Sequence, residues 1–600
     1  MAIAKLKKVL IVGELNSKKS ILNALQHCSL LHLIPLNEIK ESSSSLSYDK
    51  LKEALSYLDA TRHKRRPQTP SQSINPDQLI KDILRNKNER AQCIDRIELI
   101  KSRTKDVMPW GDFEYPDLTE LGDHRLWFYT VPLTKRILLD DVPLPWKILG
   151  QDHKQFYIVA VSKKEPLENE MPFTRIHVGS RSLSQLKEDL DETHVLLEDL
   201  NTEREVFTRW LRPLRRSLDE TINLTQLAKA SGFTMDSEDC FALSAWIPEN
   251  AIDKLETARQ SLRFAYITRD PEISENPPTL LQNSDLIGGG EAAVSFFQLP
   301  GYRSWDPSRI LFFSFSLFFA IILADAGYAL ILGIALAWKW KKISVSKRGR
   351  RMRNLFSAII GTSLIYGIMI GSYFGILLPE NGILSQLKLL DLNDFSTMMK
   401  FSIGIGALHL IIANSFAFWQ HRTSMLAVAN LGWISVISST YLLWLTFLGH
   451  KQIVSIDNPL VLVMIAGMIC VILFSTSRKI NSIKDLSLKA FDGVLSFYKI
   501  TKAFGDVLSY MRLFALGLSS ASLAVTFNQL AVSASESVPA GGFILFTLII
   551  LFGHALNFIL AIMSGVIHGL RLNLLEFYNW GIEGEGYPFE PFKRNEDKPQ

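Results

Sequence analysis

Hydrophobic positions follow two different rules along this chain of 600 residues. Apolar runs of bilayer-spanning length dominate the second half, at about 309–338, 354–378, 399–420, 425–448, 458–475, 500–532 and 541–575. Before residue 300 the apolar positions are short or periodic and are interleaved with charge, which predicts a soluble domain. There, Val9–Val12, Leu30–Leu36, Leu126–Val131 and Gln155–Ser162 read as strands. Ser20–Cys28, Tyr48–His63 and Asp77–Lys105 read as helices, and Ser42–Ser45 as a linker. The strongest periodicity steps by three and four through Leu183, Leu186, Leu190, Thr193, Leu197, Leu200, Arg204, Phe207, Leu211 and Leu214. It predicts a coiled-coil seam. Ile80, Ile83, Ile94 and Ile97 offer a weaker matching seam. Antiparallel pairing of the two gives an extended stalk with a small α/β lobe at each end, in preference to an ordinary bundle.

Charge then orients the apolar runs. The loops Lys339–Arg353 and Ser477–Lys489 are basic, so both are expected on the cytoplasmic side. The first apolar run must then begin and end on that side. It is longer than one crossing needs, and Asp325 and Gly327 mark its middle, so it reads as a helical hairpin. The expected fold is an α-helical polytopic membrane domain of about eight crossings with two long final helices. Pro379–Gln386 and Ser533–Gly542 fall outside, and His421–Arg422 and the C-terminus inside. Residues 1–300 form the cytosolic domain, 301–580 the membrane domain and 581–600 a cytosolic tail.

Composition narrows the chemistry. The net charge of +5 is concentrated in a few loops, and no basic patch with aromatic partners speaks for nucleic acid. Cys28, Cys93, Cys240 and Cys470 are scattered, which predicts neither a metal site nor disulfides and suits a reducing compartment. The N-terminus has too short an apolar core for a signal peptide. Gly13, Lys18, Lys19 and Ser20 mimic a phosphate loop, but Lys18 stands where glycine is needed before the lysine. Gly288–Gly290 read as a flexible hinge. No nucleophilic triad is apparent, and no cofactor is expected.

Two features in the last apolar runs demand a function. Arg512 lies in an apolar run, where a guanidinium keeps its proton and costs roughly 2.5–3.5 kcal/mol to insert. Ser519 and Thr526 follow it at seven-residue steps, among small residues that admit a close neighbour. Asp506 lies about 120° round the helix from Arg512, so the counter-charge is expected from another subunit. In the final run His554, Asn557, Ser564, His568 and Arg571 stand at offsets 0, +3, +10, +14 and +17, on one helical face, with Ala561 filling +7. Such a stripe lines water or another polar helix rather than lipid. Asp325 is a candidate structural polar site.

These residues resemble the membrane subunit of rotary V-type and archaeal-type ATPases, subunit I or subunit a. Ser509–Ala524 is similar to that family's penultimate helix, His568–Trp580 to its last helix, and Tyr587–Phe592 to its closing motif. Phe318–Leu332, Ile365–Gly375, Leu243–Pro248 and Asn276–Asn283 match further family segments in order. Departures are Ala245, Ala324 and Ala329 where glycine is frequent, Ala561 where some members carry an acid, and Ser520 where some carry histidine. The resemblance implies a stator subunit whose Arg512 faces a proteolipid ring (c/K-type) bearing lipid-embedded carboxylates. Arg571, His568, Ser564, Asn557, His554 and Ser519 would serve ion half-channels. It implies peripheral-stalk (E/G-type) and central connector (C/d-type) partners, with ATP chemistry in other subunits. A bacterial or archaeal plasma membrane is expected. The competing readings are a secondary transporter or channel with a coiled-coil domain, and a structural membrane anchor.

Overall fold

The structure, a computed structural model, describes residues 3–37, 45–67, 75–113, 122–167, 169–179, 181–376, 386–392, 394–450, 458–475, 498–537, 541–582 and 584–595. Most of the expected Ser42–Ser45 linker, all of the Ser477–Lys489 loop and nearly all of Pro379–Gln386 lie outside them. The chain divides into two units, one of residues 1–13, 30–34 and 242–591, the other of residues 14–29, 35–241 and 592–600.

In the second unit, the helices are α1 (Lys18–Cys28), α2 (Ser45–Asp59), α3 (Pro76–Val107), α4 (Leu183–Phe207) and α5 (Leu211–Gly232). Helices α3 and α4 pair antiparallel. Asn86 Nδ2 donates to the Leu200 carbonyl at 3.0 Å near one end, and Val107 packs with Leu186 at the other. Ile80, Ile83, Ile97, Leu186, Thr193 and Leu200 are buried along this seam, while Ile94 is only partly covered. Asn86 is the polar member; it also accepts from Tyr57 Oη at 2.7 Å, the type of satisfied buried amide that fixes register. The seam does not continue as a two-helix stalk to Leu214. A 3₁₀ turn at Thr208–Trp210 intervenes, and Leu211 and Leu214 pack with Leu51, Leu55 and Leu58 of α2 as a bundle. The apolar face of α2 requires that cover. Lys18, the false phosphate-loop position, is held by Asp236 at 2.7 Å.

The small sheet of this unit has the order β4-β5-β3-β6, from β3 (Arg125–Pro132), β4 (Trp146–Gln151), β5 (Gln155–Ser162) and β6 (Thr174–Arg175). Its core holds Trp127, Tyr129, Val131 and Ile158, and Trp110 meets Phe128 and Tyr157 edge-on. In the first unit, β1 (Leu6–Glu14), β2 (His32–Ile34), β8 (Cys240–Pro248) and β9 (Phe264–Arg269) make a sheet of order β2-β8-β1-β9. β7 (Met235–Asp236) precedes β8, and α6 (Ile252–Ser261) joins β8 to β9.

After this sheet come α7 (Gly289–Phe297), β10 (Leu299–Pro300), α8 (Ser308–Leu323), α9 (Ala326–Ile343) and α10 (Lys347–Ile370). Gly289 and Gly290 are not a hinge. They open α7, and a Cβ on Gly290 would stand 2.1 Å from the Ser308 carbonyl oxygen, so glycine is there for close packing. The chain reverses between α8 and α9. Gly290 against Ser308, with the adjoining Gly289 against Leu355, and Arg353 against Trp340 place the start of α8 and the end of α9 beside the start of α10. Gly367 against Ala326 places their junction beside its end. Ala324 makes the turn at φ 47°, left-handed geometry that glycine adopts more cheaply by roughly 1–2 kcal/mol. Asp325 caps α9, accepting from Tyr328 N at 2.9 Å and Ser372 Oγ at 2.8 Å. Asp325 thus caps α9 and ties it to the loop after α10.

Further on come α11 (Phe395–Gln420), α12 (Leu426–His450), α13 (Pro459–Phe474), α14 (Tyr498–Ser509), α15 (Met511–Ser537) and α16 (Gly542–Arg571). Among the described residues, five helices are long and apolar enough to cross a membrane: Lys347–Ile370, Phe395–Gln420, Leu426–Leu448, Ile500–Ser537 and Gly542–Gly581. Ser308–Leu323 and Pro459–Phe474 are shorter apolar helices.

The chain end returns to the sheet of the first unit. β11 (Glu585–Gly586) pairs with β10, and Thr279 bonds the Tyr587 carbonyl and the Phe589 amide. The Tyr587 and Phe589 rings flank His32, whose Nδ1 accepts from Glu590 N at 3.0 Å. That bond needs an unprotonated nitrogen, and burial pushes the His32 pKa down. A base depressed in the folded state binds fewer protons there than in the unfolded state, so its contribution is full above about pH 6.5 and falls as pH drops below it. Hydrogen exchange at residues 585–591 is expected to accelerate several-fold between pH 7.5 and pH 5, after correction for intrinsic rates. His32→Gln should remove the pH dependence; an unchanged dependence in that variant would assign it elsewhere.

Candidate functional site

Helices α15 and α16 pack against each other and against α8, and small residues set the spacing. A Cβ on Gly517 would meet the Ile321 carbonyl oxygen at 2.5 Å, and one on Gly565 the Phe319 ring at 2.7 Å. The polar residues predicted as one stripe on α16 fall in two separate places. Fourteen residues separate His554 from His568, about 21 Å along the axis.

At the first place, Asn557 Nδ2 donates to Tyr328 Oη at 3.1 Å and to the Ser520 carbonyl at 2.9 Å. Tyr328 Oη lies 2.8 Å from His554 Nδ1, and His554 Nε2 lies 2.9 Å from Asn528 Oδ1. Asn528 Nδ2 in turn donates to the Phe374 carbonyl at 2.8 Å. With Asn528 Oδ1 accepting from Nε2–H, Nδ1 is left to accept from the tyrosine. One direction of donation therefore runs from Asn557 through Tyr328 to His554. Beside this network opens a cavity of about 940 Å³, lined by Tyr328, Phe374, Asn528, Gln529, His554 and Phe558 among others.

Between the two places the helix face is apolar or small. Ala561 is buried among Phe315, Phe319 and Leu355, and Ser564 is partly exposed.

At the second place stand Arg512, His568, Arg571 and Glu576, within electrostatic range of one another. Helix α14 ends at Ser509 and α15 begins at Met511, with Tyr510 fully buried at the break. Tyr510 Oη meets His409 Nδ1 at 2.7 Å, and its carbonyl accepts from Ser402. The His409 ring stacks on Phe577 at 4.3 Å. This packing anchors the residue two before Arg512. No carboxylate among the described residues forms an ion pair with Arg512, and its Nη1 is buried without a hydrogen-bond partner. Asp506, excluded above on helical geometry, accepts instead from Trp580 Nε1 at 2.7 Å.

Glu576 is the residue the sequence reading missed. It is buried, with Oε1 4.0 Å from Arg571 Nε and Oε2 unpartnered. Its backbone belongs to a π-helical turn, Leu572–Phe577. Arg571 itself is about half exposed. Two arginines, Arg512 and Arg571, thus share one buried carboxylate. The outward face of α15 beyond Arg512 is exposed and small: Ala515, Ser519, Ser522 and Thr526.

Fold and site together define a polytopic membrane protein organised around a partly buried basic cluster on its last two long helices. Residues 504–594 match the model of the V-type ATPase 116kDa subunit family. The V-type ATP synthase subunit I of Borreliella burgdorferi is 26% identical over 620 residues, 99% of each chain. The A-type ATP synthase subunit I of Methanocaldococcus jannaschii is 29% identical over 499 residues, 73% of this chain and 69% of that one. A crystal structure of the cytoplasmic N-terminal domain of a subunit I, homolog of subunit a, of V-ATPase aligns with 44% of this chain at 16% identity and a TM-score of 0.24. Over most of its length the chain is similar to V-type and A-type ATP synthase subunit I proteins.

Proposed function

We propose that this chain is the stator membrane subunit of a rotary V/A-type ATPase or ATP synthase. It forms two ion half-channels against a rotating proteolipid ring. The observation that carries the reading is Arg512, a permanent cation with no ion-pair partner among the described residues, next to an exposed face of small residues. A lipid-embedded carboxylate arriving on a ring subunit completes the pair, and attraction by the guanidinium displaces its proton or sodium ion. The two polar places on α16 suit half-channels opening to opposite sides. The His554–Tyr328–Asn557 network and its cavity serve one, and His568, Arg571 and Glu576 serve the other. Buried Ala561 lies between, so an ion passes only by riding the ring. Each charge crossing 100 mV exchanges about 2.3 kcal/mol with the field.

ATP chemistry belongs to other subunits of the complex. The cytosolic lobes and the α3–α4 pair would hold peripheral-stalk (E/G-type) subunits against the torque, with a connector (C/d-type) subunit below the ring. The basic Lys339–Arg353 loop supports a cytosolic N-terminal half, in a bacterial or archaeal plasma membrane.

The test is contact with the ring. Ser519→Cys, on the exposed face of α15, is expected to cross-link within the purified complex to a small, very apolar subunit identified by mass spectrometry. Ala531→Cys, on the buried face, should not. Equal labelling at both positions, or none, would remove the ring from this face.

A further inference from the structure

The junction of α9 and α10 carries more cation than the fold uses. Arg351 is consumed by the fold, bonding Glu291, Asp285 and the Asn283 carbonyl. Arg353 lies over the Trp340 ring at 4.3 Å and donates to Ser344 Oγ. Lys339, Lys341 and Lys342 are exposed, and none of them forms an ion pair among the described residues. Lys347, Arg348 and Arg350 extend the patch, with Asp285 offsetting part of the charge of Lys347 and Arg350. Two large apolar side chains stand out from the same junction, Trp338 at 85% exposure and Val345 at 82%. Basic residues with an exposed tryptophan at a helix end are the chemistry of a bilayer's anionic headgroup zone.

Directly beneath this patch the helices leave a gap. An apolar groove of about 510 Å³ runs between α8, α9, α10 and α16, walled by Phe319, Ala335, Leu336, Phe356, Ile360 and Val566. Lys339 stands in its lining, so the cationic patch and the groove meet at one residue. A sterol or a bare hydrocarbon would use the walls and leave the lysines unmatched. A soluble anion would use the lysines and leave the groove unfilled. A ligand with both parts, a charged phosphate head and an acyl chain, matches both.

We propose that this site binds one anionic phospholipid of the cytoplasmic leaflet, its phosphate on Lys339 and Lys342, one helical turn apart, and one acyl chain in the groove. The lipid packs between the hairpin α8–α9 and helix α16. Because α16 carries His568 and Arg571, the lipid braces the stationary side of the basic cluster. The binding claim itself does not depend on the rotary reading.

The experiment uses the full chain in its membrane complex, reconstituted in an equimolar mixture of phosphatidylglycerol and phosphatidylcholine and then delipidated stepwise. Retained lipid is identified by native mass spectrometry. The wild-type chain is expected to keep phosphatidylglycerol at least about tenfold over phosphatidylcholine. Replacing Lys339 and Lys342 with Gln should abolish the preference, whereas Lys341→Gln, on the opposite face of α9, should leave it. Ala335→Trp should evict the lipid with every charge in place, and since Ala335 is exposed, the variant folds. Equal retention of the two lipids overturns the proposal. So does undiminished phosphatidylglycerol in Ala335→Trp, which would reduce the patch to surface attraction, or a polypeptide cross-linking to Ala335→Cys in place of lipid.

Discussion

Arg512→Gln is expected to give a complex that assembles, hydrolyses ATP and pumps no measurable ions, a loss of at least about a hundredfold in proton or sodium uptake by sealed vesicles. The assembly half of this outcome follows from the packing. Arg512 makes no ion pair among the described residues, and its Nη1 has no hydrogen-bond partner, so a neutral amide removes a solvation burden without breaking a bond. On insertion scales the native arginine costs roughly 2.5–3.5 kcal/mol, so the neutral amide adds no charge burden to a helix that already carries one. The helix keeps its place through Tyr510, Leu513 and Phe514, buried on the adjoining positions. The transport half follows from charge. Glutamine cannot hold a carboxylate in its ionised form, so an arriving ring site keeps its ion and passes unread. A structural anchor predicts near-normal pumping in the same variant, and that result would end the rotary reading. A transporter acting alone predicts solute flux by the purified chain without any ring.

The sequence revealed this site unevenly, for reasons visible in the geometry. Arg512 announced itself because a charge in an apolar run has no bland explanation. The stripe from His554 to Arg571 was legible because α16 keeps a regular helical repeat over its whole length. The partners of that stripe were not: Tyr328 and Asn528 come from α9 and α15, and a tyrosine or an asparagine in an apolar run reads as core. Glu576 was hidden by its spacing. Five residues beyond Arg571, it would point roughly 140° away on an α-helix, but the π-helical turn, bonded i to i+5, brings the two side chains back towards one face. The reversal at Ala324–Asp325 was recoverable from the basic loops, the length of the run and Asp325 at its middle, whereas the strands Trp146–Gln151, Cys240–Pro248 and Phe264–Arg269 went unread. Gly288–Gly290 misled because the same residue serves freedom and close approach, and only the Ser308 carbonyl decides between them.

Glu576→Gln carries the second large effect, an expected slowing of ATP-driven pumping by about tenfold, or about 1.4 kcal/mol on the limiting step. In the native chain Glu576 sets a buried negative charge beside Arg571 and near Arg512. On the rotary reading, a ring carboxylate must be attracted strongly enough to release its ion, then let go so that the next can arrive. Glutamine keeps the shape and removes the charge, so the basic cluster holds the arriving carboxylate longer and rotation slows at release. A purely architectural Glu576 gives a different pattern, in which the slow variant is also poorly assembled. The double variant Arg571→Gln/Glu576→Gln separates the two. It deletes one charge of each sign and restores the net charge around Arg512, so pumping should recover several-fold over Glu576→Gln alone, a coupling of about 1 kcal/mol within the usual range for interacting pairs. Losses that simply add would mean that the carboxylate does not temper the arginines, and its burial beside them would need another cause.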